Sequence, residues 1–76
     1  MDVHLYALST CPYCRMVKDF LKENKVNFTE IDVGADRKAA MEMMDKSGEM
    51  GVPQVEVDGK IIVGFDKPAL REALHI

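Results

Sequence analysis

Two sulfurs three positions apart, in the run Cys11-Pro12-Tyr13-Cys14, are the groups in this chain best suited to chemistry, and they belong to its only cysteines. An apolar stretch of strand length ends just before them and a helical pattern begins at them. A sulfur at a helix start lies beside unpaired backbone N–H groups and the positive end of the helix dipole, which favour a thiolate. A second sulfur one turn along can reach the first and close a disulfide. The spacing therefore predicts dithiol–disulfide exchange: Cys11 takes a substrate sulfur as nucleophile, and Cys14, shielded inside the first turn, resolves the mixed disulfide. Arg15 and Lys18 could assist the thiolate, although charges on an exposed helix are ordinarily solvated.

A metal site is the alternative use of such a pair. Cys-x-x-Cys supplies half of a structural zinc site, but zinc wants four ligands, and the only other soft candidates are His4, in a strand pattern, and His75, near the end of the chain. No metal ligand is assigned. At 76 residues the chain is read as one domain, residues 1–76, with no room for a separate substrate domain. Its 47% hydrophobic and 30% charged content fits a globular protein rather than a disordered one. No apolar run approaches the roughly 20 residues of a membrane span, and Asp2 stands where a secretory signal would carry a basic residue. The expected setting is the cytoplasm, where structural disulfides are rare and cysteine pairs are more often catalytic or metal-binding. A net charge of −3 argues against a nucleic-acid footprint. The chain is expected to act as a monomer, with no membrane or nucleic-acid partner.

The elements that must position the sulfurs can be read from periodicity. Val3 to Leu8 predicts a largely buried first strand, bounded by Ser9 and Thr10. A helix follows from Cys11 or Pro12 to about Asn24, a residue that tolerates a left-handed cap, with Cys14, Val17 and Leu21 on one face and Tyr13, Met16 and Phe20 beside them. Val26 to Val33 alternates as a second strand, and the helix between the two strands makes them a right-handed parallel βαβ unit. Beyond a turn at Gly34, Ala35 to Lys46 reads as a second helix with Ala40, Met43 and Met44 inward, stopping at Ser47-Gly48. Met43 and Met44 are read as flexible core filler. Gln54–Val57 and Lys60–Val63, joined by Asp58-Gly59, form a hairpin because both turn positions must accept positive φ. A last helix starts at Asp66 as N-cap, with Pro68 in its first turn and Leu70, Ala73 and Leu74 on one face. The order β-α-β-α-β-β-α predicts an α/β fold with a small mixed sheet and helices on both faces.

Four motifs in this order carry a resemblance to glutaredoxin across essentially the whole chain. They are Cys11-Pro12-Tyr13-Cys14, Gly51-Val52-Pro53-Gln54, Val57-Asp58-Gly59-Lys60 and Val63-Gly64-Phe65-Asp66. The resemblance implies the minimal thioredoxin (glutaredoxin) fold, a four-stranded sheet of order 2-1-3-4, and a cis bond at Val52-Pro53 facing the cysteines. It implies a dithiol–disulfide oxidoreductase acting on protein or low-molecular-weight disulfides, with no tightly bound cofactor and glutathione as a possible co-substrate. A cis Val52-Pro53 bond would present the Val52 backbone groups beside Cys11, where an extended substrate could add as a strand. Pro12, an ordinary first-turn proline by position, would also tune the redox potential. Glutaredoxins lie near −200 to −230 mV against about −270 mV for thioredoxin, so this chain should be the weaker reductant.

Tyr13, Val52, Pro53, Gly64, Phe65 and Asp66 are the residues that the resemblance places at substrate or glutathione. Three of them have simpler readings beside that one. Tyr13 could merely cover surface, Phe65 could be a staple packing on Leu70, and Asp66 needs no ligand to explain an N-cap carboxylate. The helix start at Asp66 could also take a carboxylate. Departures from the family pattern bear on the electron donor. Leu8 stands where many glutaredoxins carry a lysine, Glu49 and Gly51 where a basic residue and a threonine are common, and Val63 to Lys67 lacks the usual Gly-Gly start and paired aspartates. The Gly64-Phe65 dipeptide looks like the NrdH-like redoxins, which take electrons from thioredoxin reductase and donate to ribonucleotide reductase. The donor is therefore glutathione or thioredoxin reductase. An iron–sulfur cluster shared between chains, as in some glutaredoxin relatives, is disfavoured by the proline after Cys11.

Overall fold

Burial of four of the five residues of the first strand, on both of its faces, reports a strand covered on both sides. In the computed structural model, which describes residues 1–76, this strand is β1 (Val3–Ala7), followed by α1 (Pro12–Glu23), β2 (Thr29–Asp32), α2 (Arg37–Ser47), β3 (Gln54–Val57), β4 (Lys60–Val63) and α3 (Lys67–Leu74). The sheet order is β2-β1-β3-β4. β1 runs parallel to β2 and antiparallel to β3, and β3 pairs antiparallel with β4. The predicted element order and the 2-1-3-4 sheet are both present.

Alternation along β1 divides the core. Val3, Leu5 and Ala7 join Val17, Phe20 and Leu21 of α1, Leu70 and Leu74 of α3, and Val55, Val57 and Ile62 of the hairpin. Tyr6 points the other way, onto Ala39 and Met43 of α2. Helices α1 and α3 therefore share one face of the sheet and α2 covers the other. On the α2 face, Lys46 Nζ meets Glu56 Oε1 at 2.9 Å, and the Tyr6 hydroxyl donates to the same oxygen at 3.3 Å. This contact lowers the proton affinity of Glu56 and raises that of Lys46.

Several expected boundaries shift for local reasons. Leu8 lies outside β1 and is exposed. α1 stops at Glu23 as expected, but the left-handed residue is Lys25 (φ 57°), not Asn24, whose φ is −91°. The N–H of Val26 donates to Leu21 O at 2.9 Å and that of Lys25 to Lys22 O at 3.0 Å, a Schellman closure. Val26 is used by the helix end, so β2 begins only at Thr29. Within Val26–Val33 the apolar residues then fall on opposite faces: Val26 and Phe28 pack on the α1 side, Ile31 and Val33 on the α2 side.

Helix α2 starts after Asp36, whose carboxylate accepts from the Ala39 N–H at 3.0 Å, so Ala35 lies in the preceding turn. Its inward residues are Ala39 and Met43, one turn apart. Ala40 is only half-buried and Met44 is exposed, which corrects the inward face predicted for them. Gly34 leaves room for Leu8: an added Cβ would lie 2.9 Å from Leu8 Cδ2. In the hairpin Asp58 (φ 48°) and Gly59 (φ 90°) both take positive φ. Asp66 caps α3 as predicted, accepting from the Ala69 N–H at 3.1 Å.

Leu70 and Leu74 are the buried anchors of α3. Leu70→Ala is expected to cost about 2–5 kcal/mol and Asp66→Ala about 1 kcal/mol. Urea unfolding midpoints check both, and an unchanged midpoint for Leu70→Ala would contradict the packing described.

Candidate active site

Helix α1 begins where it does because Pro12, which has no N–H to satisfy, takes its first position, and because Cys11 serves as its cap. Cys11 is extended (φ −93°, ψ 114°), its carbonyl accepts from Arg15 N–H at 3.3 Å, and its Sγ accepts from Cys14 N–H at 3.2 Å. The sulfur occupies the place an Asp or Ser oxygen takes in an ordinary N-cap. Negative charge there is favoured by the unpaired N–H groups of the first turn and by the helix dipole. Cys11 is half-buried, and its Sγ lies 3.9 Å from Val52 O.

Cys14 sits in the first turn at 2% exposure, within the main core. Burial above all, and then its hydrogen bond with the Cys11 side chain, push its thiol up to about 11. The two sulfurs are thus unequal: one is reachable and sits at a site that favours negative charge, the other is shielded and held as a thiol. The cysteines are not joined to each other.

Opposite the sulfurs, the Val52-Pro53 bond is cis. The Val52 N–H and C=O have no backbone partner, and the carbonyl faces Cys11 Sγ. The segment is held from inside the fold by Gln54, fully buried at the start of β3. Its Nε2 donates to Glu49 O at 3.0 Å and to Gly51 O at 2.7 Å, while its Oε1 is buried without a partner. On the far side, Gly64 N–H donates to Pro53 O at 2.8 Å, with Gly64 at φ 84°.

Tyr13, Val52, Pro53, Gly64 and Phe65 line one open groove of about 290 Å³. The structure thus brings together five of the six residues assigned to substrate binding. Asp66 is not in that lining, and its carboxylate is engaged as the α3 cap. Phe65 both lines the groove and packs on the core, its ring meeting Phe20 edge-on at 6.1 Å. Tyr13 is 62% exposed.

A further cleft, of about 280 Å³, opens on the other side of the sulfurs between α1 and β2. It contains Leu8, both cysteines, Lys18 and Glu30. Lys18 is not simply solvated, because its Nζ pairs with Glu30 Oε2 at 2.9 Å. Glu30 does not stand out in the sequence, and Gln54 enters there only as the last residue of the Gly51-Val52-Pro53-Gln54 motif, with no role of its own. Finding Glu30 needs the parallel register Leu5↔Glu30, which no local pattern shows. Gln54 reads locally as an ordinary polar residue opening a strand. No three His, Cys, Asp or Glu side chains come together where they could hold a metal ion. His4 contacts the carboxylate of Asp2 at 3.1 Å. No helix is long and apolar enough to cross a membrane.

A cysteine pair capping the first helix of a β-α-β-α-β-β-α sheet, opposite a cis-proline, defines a thioredoxin-fold redox protein. Comparison with known proteins narrows the class. The family model for glutaredoxin matches residues 3–62, and the chain belongs to the glutaredoxin family. It is 40% identical over 73 residues, 96% of this chain and 97% of the other, to an uncharacterized glutaredoxin-like 8.6 kDa protein in the rubredoxin operon of Clostridium pasteurianum. It is 35% identical to glutaredoxin 3 of Escherichia coli K12 over 65 residues, 86% of this chain and 78% of that one. Among solved structures, a point mutant of the thioredoxin-like protein BC3987 superimposes with a TM-score of 0.94 at 35% identity, covering 99% of this chain and 96% of the other. The glutaredoxin of Archaeoglobus fulgidus gives 0.91 at 30% identity, covering 99% and 87%.

The inequality of the sulfurs predicts their labelling. In the reduced protein near pH 7, iodoacetamide should modify Cys11 alone, because the thiolate is the reactive form and Cys14 is both shielded and protonated. A raised proton affinity means the Cys14 thiolate grows in only as pH climbs toward about 11. Mass spectrometry after timed alkylation checks this, and modification of Cys14 matching that of Cys11 at neutral pH would contradict it.

Proposed function

We propose that the protein is a dithiol–disulfide oxidoreductase that reduces protein or low-molecular-weight disulfides. The observation that carries this reading is the Cys14 N–H donating to Cys11 Sγ at 3.2 Å while Cys14 itself is buried. The Cys11 thiolate attacks a substrate disulfide, forms a mixed disulfide and expels the first substrate thiolate. Cys14 then attacks Cys11 Sγ, closing the Cys11–Cys14 disulfide and releasing the second substrate sulfur. The substrate gains two electrons and the protein loses two. Both pass through the sulfurs, so no resident cofactor is required. An extended substrate would pair with the free backbone groups of Val52 and lie against Tyr13 and Phe65. Pro12 would hold the intervening loop and set the potential.

One observation favours thioredoxin reductase over glutathione as electron donor, in the manner of the NrdH-like redoxins. The groove beside the cis-proline is lined by Tyr13, Val52, Pro53, Gly64 and Phe65, none of them charged. Leu8, exposed beside the cysteines, likewise offers no cation to a carboxylate. The groove lining itself offers an anionic tripeptide no charged partner, the nearby cations being Lys67, over the Phe65 ring, and Arg15, Lys18 and Lys22 in the cleft beyond the sulfurs, whereas an extended protein segment suits its uncharged walls. We place the activity in the cytoplasm, where a reductase can regenerate the dithiol.

Cys11→Ser is expected to abolish turnover, and Cys14→Ser to accumulate mixed disulfides at Cys11 that mass spectrometry detects; a turning-over Cys11→Ser protein would overthrow the reading. The donor is tested by oxidising the protein and following NADPH consumption with thioredoxin reductase or, separately, with glutathione and its reductase. Faster reduction by the first is expected, and faster reduction by glutathione would return the protein to the ordinary glutaredoxin cycle.

A further inference from the structure

The resolving step sets a problem that the two sulfurs do not solve between them. Cys14 must lose a proton to attack, because the thiolate is the nucleophile, yet its position in the core holds it as a thiol. Once Cys11 is bound in a mixed disulfide it can no longer take that proton. The acceptor must come from the cleft between α1 and β2, which is where Cys14 meets solvent-connected space. Five charged side chains line that cleft: Arg15, Lys18, Asp19 and Lys22 from α1, and Glu30 from β2.

We propose that Glu30, held in place by Lys18, accepts the proton of Cys14 as that thiol closes the disulfide with Cys11. The assignment rests on the dithiol reading above. Its geometry has three parts. Lys18 lies four residues after Cys14, on the same face of α1. Glu30 pairs in register with Leu5, whose side chain lies in the α1-side core, so the Glu30 side chain projects toward α1. The 2.9 Å contact between Lys18 Nζ and Glu30 Oε2 then fixes the carboxylate beside the cleft that both cysteines share. Asp19, five residues after Cys14, is turned well away from it around the helix.

At 43% side-chain exposure, Glu30 also touches solvent and can pass the proton on. In the step, the Cys14 S–H proton goes to the carboxylate across the cleft. The Cys14 electron pair forms the bond to Cys11 Sγ, and the bond from Cys11 to the substrate sulfur breaks, its pair leaving with that sulfur. No further oxidant or reductant enters.

The test follows the reduced protein with the aromatic disulfide DTNB, which releases a coloured thiolate twice. The first release reports attack by Cys11, and the second reports attack by Cys14 on the mixed disulfide. In Glu30→Gln the first release should keep its wild-type rate, showing the fold and Cys11 intact. The second should slow on the order of a hundredfold, the lower end of what a positioned base supplies, and added imidazole should partly restore it. A role limited to electrostatics predicts the opposite sign, because removing a negative charge near Cys14 eases its ionisation and speeds the step. A second release as fast as wild type or faster, or equal slowing of both releases, overturns the assignment to Glu30. The dithiol reading fails separately, in the wild-type protein, if the second release depends on DTNB concentration and so is not intramolecular.

Discussion

The hydrogen bond from the Cys14 backbone to the Cys11 sulfur organises the molecule around it. It makes a reactive atom into a structural one, since the same contact that begins α1 also prepares the sulfur to carry charge. It fixes the sequence spacing as well. An N-cap side chain reaches the N–H of the second or third helical residue, so a cysteine that caps at Cys11 finds its partner at Cys14. The side chain of that partner then turns into the core, because the third residue of α1 lies on its buried face.

The rest of the fold holds this helix start against an opposing wall. β1 delivers the chain to α1 from the centre of the sheet, where pairing on both edges leaves it little freedom. β3, paired directly with β1 through Tyr6↔Gln54, brings the cis-proline segment to the same end. Sulfur and Val52 carbonyl therefore face each other because two neighbouring strands run in opposite directions: one ends at the cysteines and the other begins there. α3 completes the groove by a different route, since Phe65 is rooted in the core through Phe20 of α1.

Much of this was legible in the residues. The element order followed from hydrophobic period and turn chemistry, and Asp58-Gly59 and Asp66 behave as their types require. The less legible parts share a cause: they depend on contacts between segments distant in the chain. Val26 and Phe28 read as part of one alternating strand, but the closure of α1 claims Val26 and the two apolar pairs end on opposite faces. Met44 and Ala40 fit a helical stripe as well as Ala39 does, and only packing on the sheet, against Tyr6 with Ile31 and Val33, shows which face goes inward. Lys18 reads as one more solvated charge until the parallel register brings Glu30 to it.

The grip of Gln54 on the segment before the cis-proline has a consequence for how such a site can diversify. Its amide nitrogen holds the carbonyls of Glu49 and Gly51, which every amino acid possesses. The anchor is blind to the side chains it restrains, and those at residues 49–51 are exposed. Position and chemistry are thereby uncoupled along this rim. Charge, size and polarity can be rewritten there while the backbone that meets the sulfur stays where it is.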